Sequence, residues 1–488
     1  MTAAMNKELR RTSIVVLLMF LSLFISTSVI QVVAADDLRD DPRNSRTFYA
    51  NMSVNRGPIL ADGAPIAESI PSEGAIAYQR VYPSGALYSA VTGYMTIGQG
   101  NTGLEEALNG ELSGTTGGQF FDQIRAVLTG QMPQGAAVET TIDPVVQQAA
   151  WDALGDYTGA VIAFRPATGE IIAMVTKPTF DPNQLAVHDT QAVIDLYDQL
   201  LADPAEPLMN RTMNGDLDPP GSTFKLVVAS AALSSGRYTP ESTFPNPASL
   251  QLPQSDSVIF NSDRGTCGPG DTVTLADALR LSCNIPFAEL AQQLGYRAIL
   301  EQAMAFGFNS SVDVPMASTP SVYPRVLDEP QTMLSGFGQG DVRASPLQMA
   351  MVSAAIANGG VLMQPTLVEA IIAPDQTTLR SLEPTSLGQP ISQQVAATLT
   401  QLMVQNVSNG AASGAIIEGV DVAGKTGTAQ NGDGEPYTLW FTGFAPAVNP
   451  EVAVAVVIQD GGGLGQSGQS NRIPAPIGKA VMEAVLSR

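Results

Sequence analysis

An uncharged, apolar segment close to the N-terminus constrains the fold of this chain most strongly. Residues 12–35 carry no charged side chain, and as a helix rising about 1.5 Å per residue they would extend about 36 Å, enough to cross the ~30 Å hydrocarbon core of a bilayer. Basic residues precede the segment and aspartates follow it, so the positive-inside rule places the N-terminus in the cytoplasm and the remaining chain outside. We therefore predict a cytoplasmic tail over residues 1–11 and a transmembrane anchor over residues 12–35.

A cleaved signal peptide is the alternative interpretation, because Val33-Ala34-Ala35 is rich in small residues. The apolar run is longer than the roughly 7–15 residues of an ordinary signal-peptide core, which favours an uncleaved anchor. Both interpretations place the body of the chain outside the cytoplasm, where disulfides persist. Cys267 and Cys283 are therefore predicted to form one disulfide, whose loop closure contributes about 3 kcal/mol in the chain-entropy account. Two buried free thiols are the alternative.

The chain contains a single histidine, His188, which excludes much familiar catalytic and metal chemistry. A zinc site built from several histidines is impossible, and a Ser-His-Asp triad could use only His188, with no G-x-S-x-G motif in the sequence. Proton transfer is therefore expected to depend on Lys, Asp, Glu or Tyr, and we predict His188 in a loop or at a cleft edge. The net charge of −22 repels phosphate backbones and argues against a nucleic-acid partner.

Two regions follow the apolar segment. Residues 36–155 are irregular and rich in Gly, Ser, Thr and Pro, and they predict a small mixed N-terminal module. Residues 156–488 predict a larger domain with a hairpin pattern near each end, residues 159–175 and residues 439–458. Hairpins at both ends with helices between them predict an α+β fold, in which one antiparallel sheet from distant parts of the chain is covered by helices. The predicted helices cover residues 145–154, 224–233, 275–281, 286–294, 347–357, 393–404 and 477–486.

A serine and a lysine share the predicted start of the helix over residues 224–233. A Pro-Pro-Gly sequence precedes Ser222, so Ser222 is expected at a helix N-terminus, where free N–H groups favour negative charge. Lys225 follows three residues later on the same helix face, and a buried lysine with a lowered pKa can act as the base for a serine nucleophile. The alternative is that Ser222 is only a helix cap and Lys225 a solvated residue.

Two further motifs follow in the sequence. Ser282-Cys283-Asn284 lies between two predicted helices, and Lys425-Thr426-Gly427-Thr428 comes just before the C-terminal hairpin. The order S-x-x-K, S-x-N, K-T-G is the motif set of penicillin-recognising serine acyltransferases. A P-loop is a formal rival, because residues 419–426 match G-x-x-x-x-G-K-[ST]. Turn-rich sequence follows that lysine, however, where a P-loop needs a helix, and the exported location removes ATP.

From Gly159 to its end the chain resembles the transpeptidase domain of class B penicillin-binding proteins. The resemblance rests on the three motifs, on Phe337-Gly-Gln-Gly340 and on Trp440-Phe-Thr-Gly-Phe-Ala-Pro446. The N-terminal part is similar to the short penicillin-binding protein A type, notably in Arg56-Gly-Pro-Ile59. This resemblance implies the penicillin-binding/transpeptidase fold, with a five-stranded antiparallel sheet covered by helices, a small N-terminal pedestal module and one N-terminal transmembrane helix.

The resemblance also implies an activity, that of a serine D,D-transpeptidase. Ser222 would attack a D-Ala-D-Ala carbonyl while Lys225 takes its proton. Ser282 would pass a proton to the leaving D-Ala, and Asn284 would orient Lys225 and the donor peptide. Lys425 would hold Ser282 and the substrate carboxylate. The implied substrate-binding residues are Thr426, Gly427 and Thr428, and the backbone N–H groups of Ser222 and Thr428 would form the oxyanion hole.

Partners and alternative activities follow from the same resemblance. Peptidoglycan peptide stems are the expected substrates, and β-lactam antibiotics would acylate Ser222. A glycosyltransferase or other cell-wall synthesis proteins are expected partners at the cell membrane, with the catalytic domain outside the cytoplasm. The resemblance implies no cofactor and no metal. A D,D-carboxypeptidase, which uses water as the acceptor, and a non-catalytic penicillin-binding scaffold or sensor are the alternatives.

Overall fold

The apolar N-terminal segment forms a long helix, as the sequence predicts. The computed structural model describes residues 2–34, 38, 54–73, 76–116, 134–215 and 217–488. Helix α1 (Thr2–Ser28) continues into a π-helical turn over Val29–Val33. Its part Arg10–Val32, with a mean hydropathy of 2.5, is long and apolar enough to cross a membrane. Of the predicted anchor, residue Ala35 lies outside the described residues.

Strands and helices alternate irregularly through the rest of the chain. The strands are β1 (Ile59–Ala61), β2 (Ala64–Pro71), β3 (Tyr78–Val81), β4 (Ala137–Thr140), β5 (Gly159–Phe164), β6 (Ile171–Lys177), β7 (Thr243–Pro245), β8 (Ser249–Gln251), β9 (Val258–Phe260), β10 (Thr272–Thr274), β11 (Leu362–Met363), β12 (Val368–Ile372), β13 (Thr378–Ser381), β14 (Ser386–Gly388), β15 (Ala423–Ala429), β16 (Thr438–Ala445) and β17 (Val452–Ile458). The further α-helices are α2 (Ser89–Thr92), α3 (Gly103–Ala107), α4 (Asn109–Ser113), α5 (Pro144–Leu154), α6 (Thr190–Ala202), α7 (Lys225–Ser234), α8 (Leu275–Arg280), α9 (Ile285–Leu294), α10 (Tyr296–Ala305), α11 (Glu329–Ser335), α12 (Pro346–Ala357), α13 (Gln393–Asn409) and α14 (Pro474–Leu486).

The C-terminal region is built on the predicted antiparallel sheet, with strand order β15-β16-β17-β5-β6. The two predicted hairpins supply four of these strands, and β17 joins them by pairing with β5, Ala455 opposite Ile162. Helix α12 packs on one face of the sheet, while α5 and α14 pack on the other. Because helices cover both faces of the sheet, its central strands are continuous apolar runs and do not alternate between apolar and polar residues. The predicted sheet covered by helices is confirmed.

A second sheet combines the N-terminal module with strands from much later in the chain. Its order is β13-β12-β4-β1-β2-β3, so β12 and β13, which lie beyond residue 360, extend the sheet of the module. Val368 pairs with Thr140, and Ile371 with Val138. These short strands carry no sequence signal that would predict their pairing. Helix α5 also links the two regions, since it lies at the end of the predicted module and packs against α14 and β6 of the C-terminal region.

The interior of the module holds a buried ion cluster. Glu105 accepts hydrogen bonds from Arg56 Nε at 2.5 Å and from Arg80 Nε at 2.6 Å, and all three side chains are at most 2% exposed. Burial would raise the pKa of Glu105, but the two guanidinium groups outweigh it and hold that pKa below its usual value. His188 lies in the loop before α6, as predicted, with Nε2 3.1 Å from the carbonyl of Tyr78 on β3.

Candidate active site

Ser222 lies in a single 3₁₀ turn, Gly221–Phe224, that leads directly into α7. Gly221 has φ of +51°, and a Cβ there would approach the carbonyl oxygen of Thr428 to 2.7 Å, so this position needs glycine. The turn is fastened by hydrogen bonds from Gly221 N to Gly338 O at 3.1 Å and from Trp440 Nε1 to Pro219 O at 2.9 Å. The predicted helix over residues 224–233 is confirmed within one residue, with Ser222 just before it.

Asp218 fixes the start of the Ser222 turn to the central sheet, a role that the sequence did not reveal. Its carboxylate accepts hydrogen bonds from Thr438 Oγ1 at 3.1 Å and Gln459 Nε2 at 3.0 Å. Burial raises the pKa of this carboxyl, while the two hydrogen bonds oppose the rise. The contacts join the start of the Ser222 turn to strand β16 and to the end of β17.

Lys225 is fully buried, which rules out the alternative of a solvated helix residue. Its Nζ donates to the carbonyl of Ser282 at 2.7 Å and to Asn284 Oδ1 at 2.9 Å. Burial, and secondly the charge of Lys425, lower the pKa of Lys225 well below its usual value. Within the described part of the chain, Ser222 Oγ has no hydrogen-bond partner. The hydroxyl is therefore free to meet an incoming group.

The S-x-N motif lies in the short connection between α8 and α9, as predicted. Ser282 adopts the left-handed region with φ of +63°, which is uncommon for a residue with a side chain. Cys283, the middle residue of the motif, forms a disulfide with Cys267, and their Cα atoms are 5.7 Å apart. The predicted disulfide is thus confirmed, and the alternative of two free thiols is wrong. The cross-link ties the motif to the segment that follows β9.

Lys425 reaches the same serine from strand β15. Its Nζ donates to Ser282 Oγ at 2.6 Å and to the carbonyl of Thr426 at 2.8 Å, and the side chain is fully buried. Burial lowers the pKa of Lys425 to about 7. Because Lys225 bonds the carbonyl of Ser282 and Lys425 bonds its hydroxyl, the three sequence motifs meet at one residue.

The remaining K-T-G residues lie on β15, which is the edge strand of its sheet. Thr428 is exposed and its Oγ1 lies 2.8 Å from Ser470 Oγ, while Ser470 donates to the carbonyl of Gly427 at 2.5 Å. Thr426 Oγ1 donates to the carbonyl of Ala411 at 3.1 Å. A Cβ on Gly427 would meet Pro220 O at 2.8 Å, so the strand lies directly against the Ser222 turn.

Ser470 is another site residue that the sequence did not reveal. It is an isolated serine in the loop before α14, and no motif there distinguishes it from other loop serines. The P-loop alternative is wrong, because Lys425 lies within a strand and the next element is strand β16 rather than a helix. Beside the end of β15 a cavity of about 850 Å³ opens, lined by residues including Asp218, Phe260 and Gln430.

Comparisons with known proteins agree with this geometry. The family of the penicillin binding protein transpeptidase domain matches residues 159–483, and that of the penicillin binding protein A dimerisation domain matches residues 56–138. The chain is 40% identical to the peptidoglycan D,D-transpeptidase PbpA of Mycolicibacterium smegmatis over 99% of both chains. It is 38% identical to the protein of the same name from Mycobacterium tuberculosis, again over 99% of both.

A solved structure is similar over nearly the same extent. The ceftriaxone acyl-enzyme complex of penicillin-binding protein A from M. tuberculosis matches with a TM-score of 0.86 and 36% identity, covering 90% of this chain and 100% of that one. This chain belongs to the class B penicillin-binding protein family.

Proposed function

We propose that this chain is a membrane-anchored serine D,D-transpeptidase, which cross-links peptidoglycan peptide stems through an acyl-enzyme on Ser222 and is acylated by β-lactams at the same residue. One observation carries the proposal: two buried lysines from different elements converge on Ser282, beside a serine whose hydroxyl is unengaged among the described residues. The name of the mycobacterial relatives, peptidoglycan D,D-transpeptidase, supports the same reaction.

Lys225 is suited to be the base that activates Ser222. A neutral amine has two N–H groups and one lone pair, and both donor directions of Lys225 are occupied by Ser282 O and Asn284 Oδ1. The lone pair therefore remains for the proton of Ser222 Oγ as that oxygen attacks the carbonyl carbon of D-Ala-D-Ala. Burial and the charge of Lys425 lower the pKa of Lys225 well below its usual value, which favours the neutral amine that a base requires.

Ser282 is suited to protonate the leaving group. Its Oγ accepts a hydrogen bond from Lys425, so Ser282 can pass its hydroxyl proton to the amine of the departing D-Ala and regain one from the Lys425 ammonium. The carbonyl carbon then forms an ester with Ser222, and an amine of a neighbouring peptide stem attacks that ester and restores the free serine. In the second step the attacking amine would return a proton to Lys425 through Ser282, and Lys225 would return its proton to Ser222 Oγ. Two backbone N–H groups, those of Ser222 and Thr428, would stabilise the oxyanion in both steps.

The substrate carboxylate is expected at the exposed edge of β15. Thr426 and Thr428 would donate to it by turning their hydroxyl protons away from Ala411 O and Ser470 Oγ, and Lys425 would add attraction from behind the strand. Gly427 keeps the strand close to the Ser222 turn. Residues 12–35 would anchor the protein in the cell membrane with a cytoplasmic tail over residues 1–11. The module would occupy residues 36–155 and the transpeptidase domain residues 156–488, outside the cytoplasm and within reach of a glycosyltransferase or other cell-wall synthesis proteins.

Labelling with a fluorescent penicillin tests the assignment of Ser222. The full chain in detergent should be labelled covalently, and Ser222→Ala should not. Ser230→Ala is the matched control, because Ser230 is a buried serine of helix α7, which follows the Ser222 turn, and it donates to Leu226 O at 2.7 Å. Labelling of Ser222→Ala would contradict the proposal.

A second assay separates the transpeptidase from the carboxypeptidase alternative. The wild-type chain is incubated with a D-Ala-D-Ala donor peptide and a labelled amine acceptor. Transfer of the amine with release of D-Ala is expected. Release of D-Ala without any transfer would identify a carboxypeptidase, and labelling by penicillin without either reaction would identify a scaffold or sensor.

A further inference from the structure

Helix α9 begins at an asparagine, Asn284, whose side chain does not cap the helix but contacts Lys225 instead. The first N–H groups of a helix lack partners within the helix, and an asparagine at the N-cap position commonly accepts from them. Asn284 occupies that position, yet its side chain makes no capping hydrogen bond. Instead Oδ1 accepts from Lys225 at 2.9 Å, and Nδ2 donates to the carbonyl of Phe260 at 2.9 Å.

Asn261, which directly follows strand β9, supplies the missing cap from outside the helix. Its Oδ1 accepts hydrogen bonds from Asn284 N at 2.9 Å and from Ile285 N at 3.1 Å. Its Nδ2 donates to the carbonyl of Gly265 at 3.0 Å, which fixes the orientation of the amide. The side chain is only 4% exposed, so water cannot readily replace it. The residue after the β8–β9 hairpin thus accepts hydrogen bonds from the first N–H groups of α9.

We propose that Asn261 is a positioning residue of the active site, which holds the backbone N–H groups of Asn284 and Ile285 and so directs the Asn284 side chain to the amine of Lys225. The inference rests on the proposed function, in which Lys225 is the base. Without Asn261, the N–H groups of Asn284 and Ile285 would lose their acceptor, so the backbone at Asn284 would no longer be held. A shift of this backbone would withdraw Asn284 Oδ1 from Lys225.

The consequence for Lys225 is specific, because few groups hold its amine. Its acceptors are Ser282 O and Asn284 Oδ1, the ring of Phe287 lies 5.5 Å from Nζ, and Lys425 is the charged group that acts on it. Loss of Asn284 Oδ1 would leave a buried N–H unpaired and the lone pair free to turn away from Ser222. The amine would then be less well aligned and its protonated form less stable.

The test compares Asn261→Ala, Asn261→Asp and the control Asn183→Ala in the full chain. Asn183 likewise makes two hydrogen bonds to a backbone, at Tyr82 N and O, both at 2.8 Å, but it lies next to the N-terminal module. The second-order rate constant of acylation by fluorescent penicillin is measured against pH, together with thermal unfolding. Asn261→Ala should lower the rate constant by about 10- to 100-fold and move the ascending limb of the pH profile to lower pH.

The other two variants should behave differently. Asn261→Asp keeps an oxygen acceptor for both N–H groups, so the rate constant should return to within about threefold of wild type. Its carboxylate favours the ammonium form of Lys225 and should move the ascending limb to higher pH. Asn183→Ala should lower only the unfolding temperature.

Several outcomes would overturn the inference. A folded Asn261→Ala with the wild-type rate constant and pH profile would do so, and so would a loss of rate that leaves the ascending limb in place. If Asn261→Ala does not fold, the pH profile of Asn261→Asp is the deciding measurement. An ascending limb that does not move in that variant contradicts the inference. A wild-type chain that penicillin does not label, or a labelled Ser222→Ala, would instead contradict the proposed function.

Discussion

Each of the two motif lysines is buried against neutral oxygen atoms. Lys225 donates to a carbonyl and an amide oxygen, and Lys425 to a hydroxyl and a carbonyl; within the described residues neither forms an ion pair. Burial without a counter-charge disfavours the ammonium form, which is why both pKa values are lowered. A lysine can then act as a base near neutral pH, where other enzymes use histidine. The single histidine of the chain, His188, is not needed for this chemistry.

The lysine pKa values predict a bell-shaped pH dependence of acylation. Acylation needs Lys225 neutral and Lys425 charged, so the lowered pKa of Lys225 should set the ascending limb, and the descending limb should lie near pH 7, the pKa of Lys425. The measurement is the rate constant for penicillin acylation between about pH 5 and pH 10. A rate constant that keeps rising to about pH 10, as an ordinary lysine pKa would give, contradicts this prediction.

Ser470 should contribute to acylation by holding the edge of β15. Its only proton is donated to Gly427 O, so it must accept from Thr428 Oγ1 and thereby orients that hydroxyl. Ser470→Ala should lower the acylation rate constant about tenfold, since a hydrogen bond of this kind contributes about 1–1.5 kcal/mol.

Ser353→Ala is the control for this variant. It removes another buried hydroxyl, which lies 2.7 Å from Thr442 Oγ1 on strand β16. This control should lower the unfolding temperature and leave the rate constant unchanged. Equal rate losses in both variants would show that Ser470 acts only through stability.

At the scale of elements, the S-x-N connection is held by covalent and polar contacts to the segment after β9. The disulfide Cys267–Cys283 closes a loop of sequence separation 16, and loops of this size contribute roughly 3 kcal/mol. The double variant Cys267→Ser/Cys283→Ser should therefore unfold roughly 5–10 °C below wild type. Calorimetry under non-reducing conditions measures the shift, and an unchanged unfolding temperature would show that the other contacts suffice.

Elements whose signal is local could be predicted from the sequence. The hairpins around residues 159–175 and 439–458 and the helix that starts after Ser222 were predicted almost to the residue, because apolar runs and Pro or Gly breakers mark them. The meeting of the three motifs can be predicted because each is a short local pattern and their order in the sequence is distinctive. The cap from Asn261 and the bridge from Ser470 could not be predicted, since each depends on one polar side chain that only tertiary packing brings into place.

At the scale of the whole molecule, the pairing of β4 with β12 joins parts of the chain more than two hundred residues apart. Strands β4 and β12 have four and five residues, which is too short for an alternating apolar pattern to indicate that they pair. The sequence therefore predicts two separate regions. The pairing makes the module and the C-terminal region depend on one another. Val368 and Ile371 on β12 are 7% and 2% exposed, and they would lose cover if the module were removed.

This dependence predicts the outcome of two truncations. A chain that starts at residue 54 keeps both sheets and should unfold in one transition. A chain that starts at residue 142 lacks β1–β4, so an unpaired edge of β12 and its apolar side chains face solvent, which promotes association. We expect this shorter chain to unfold at least about 5 °C lower and to form oligomers in size-exclusion chromatography. If it is instead monomeric with an unchanged unfolding temperature, the shared sheet is not required and the C-terminal region folds independently of the module.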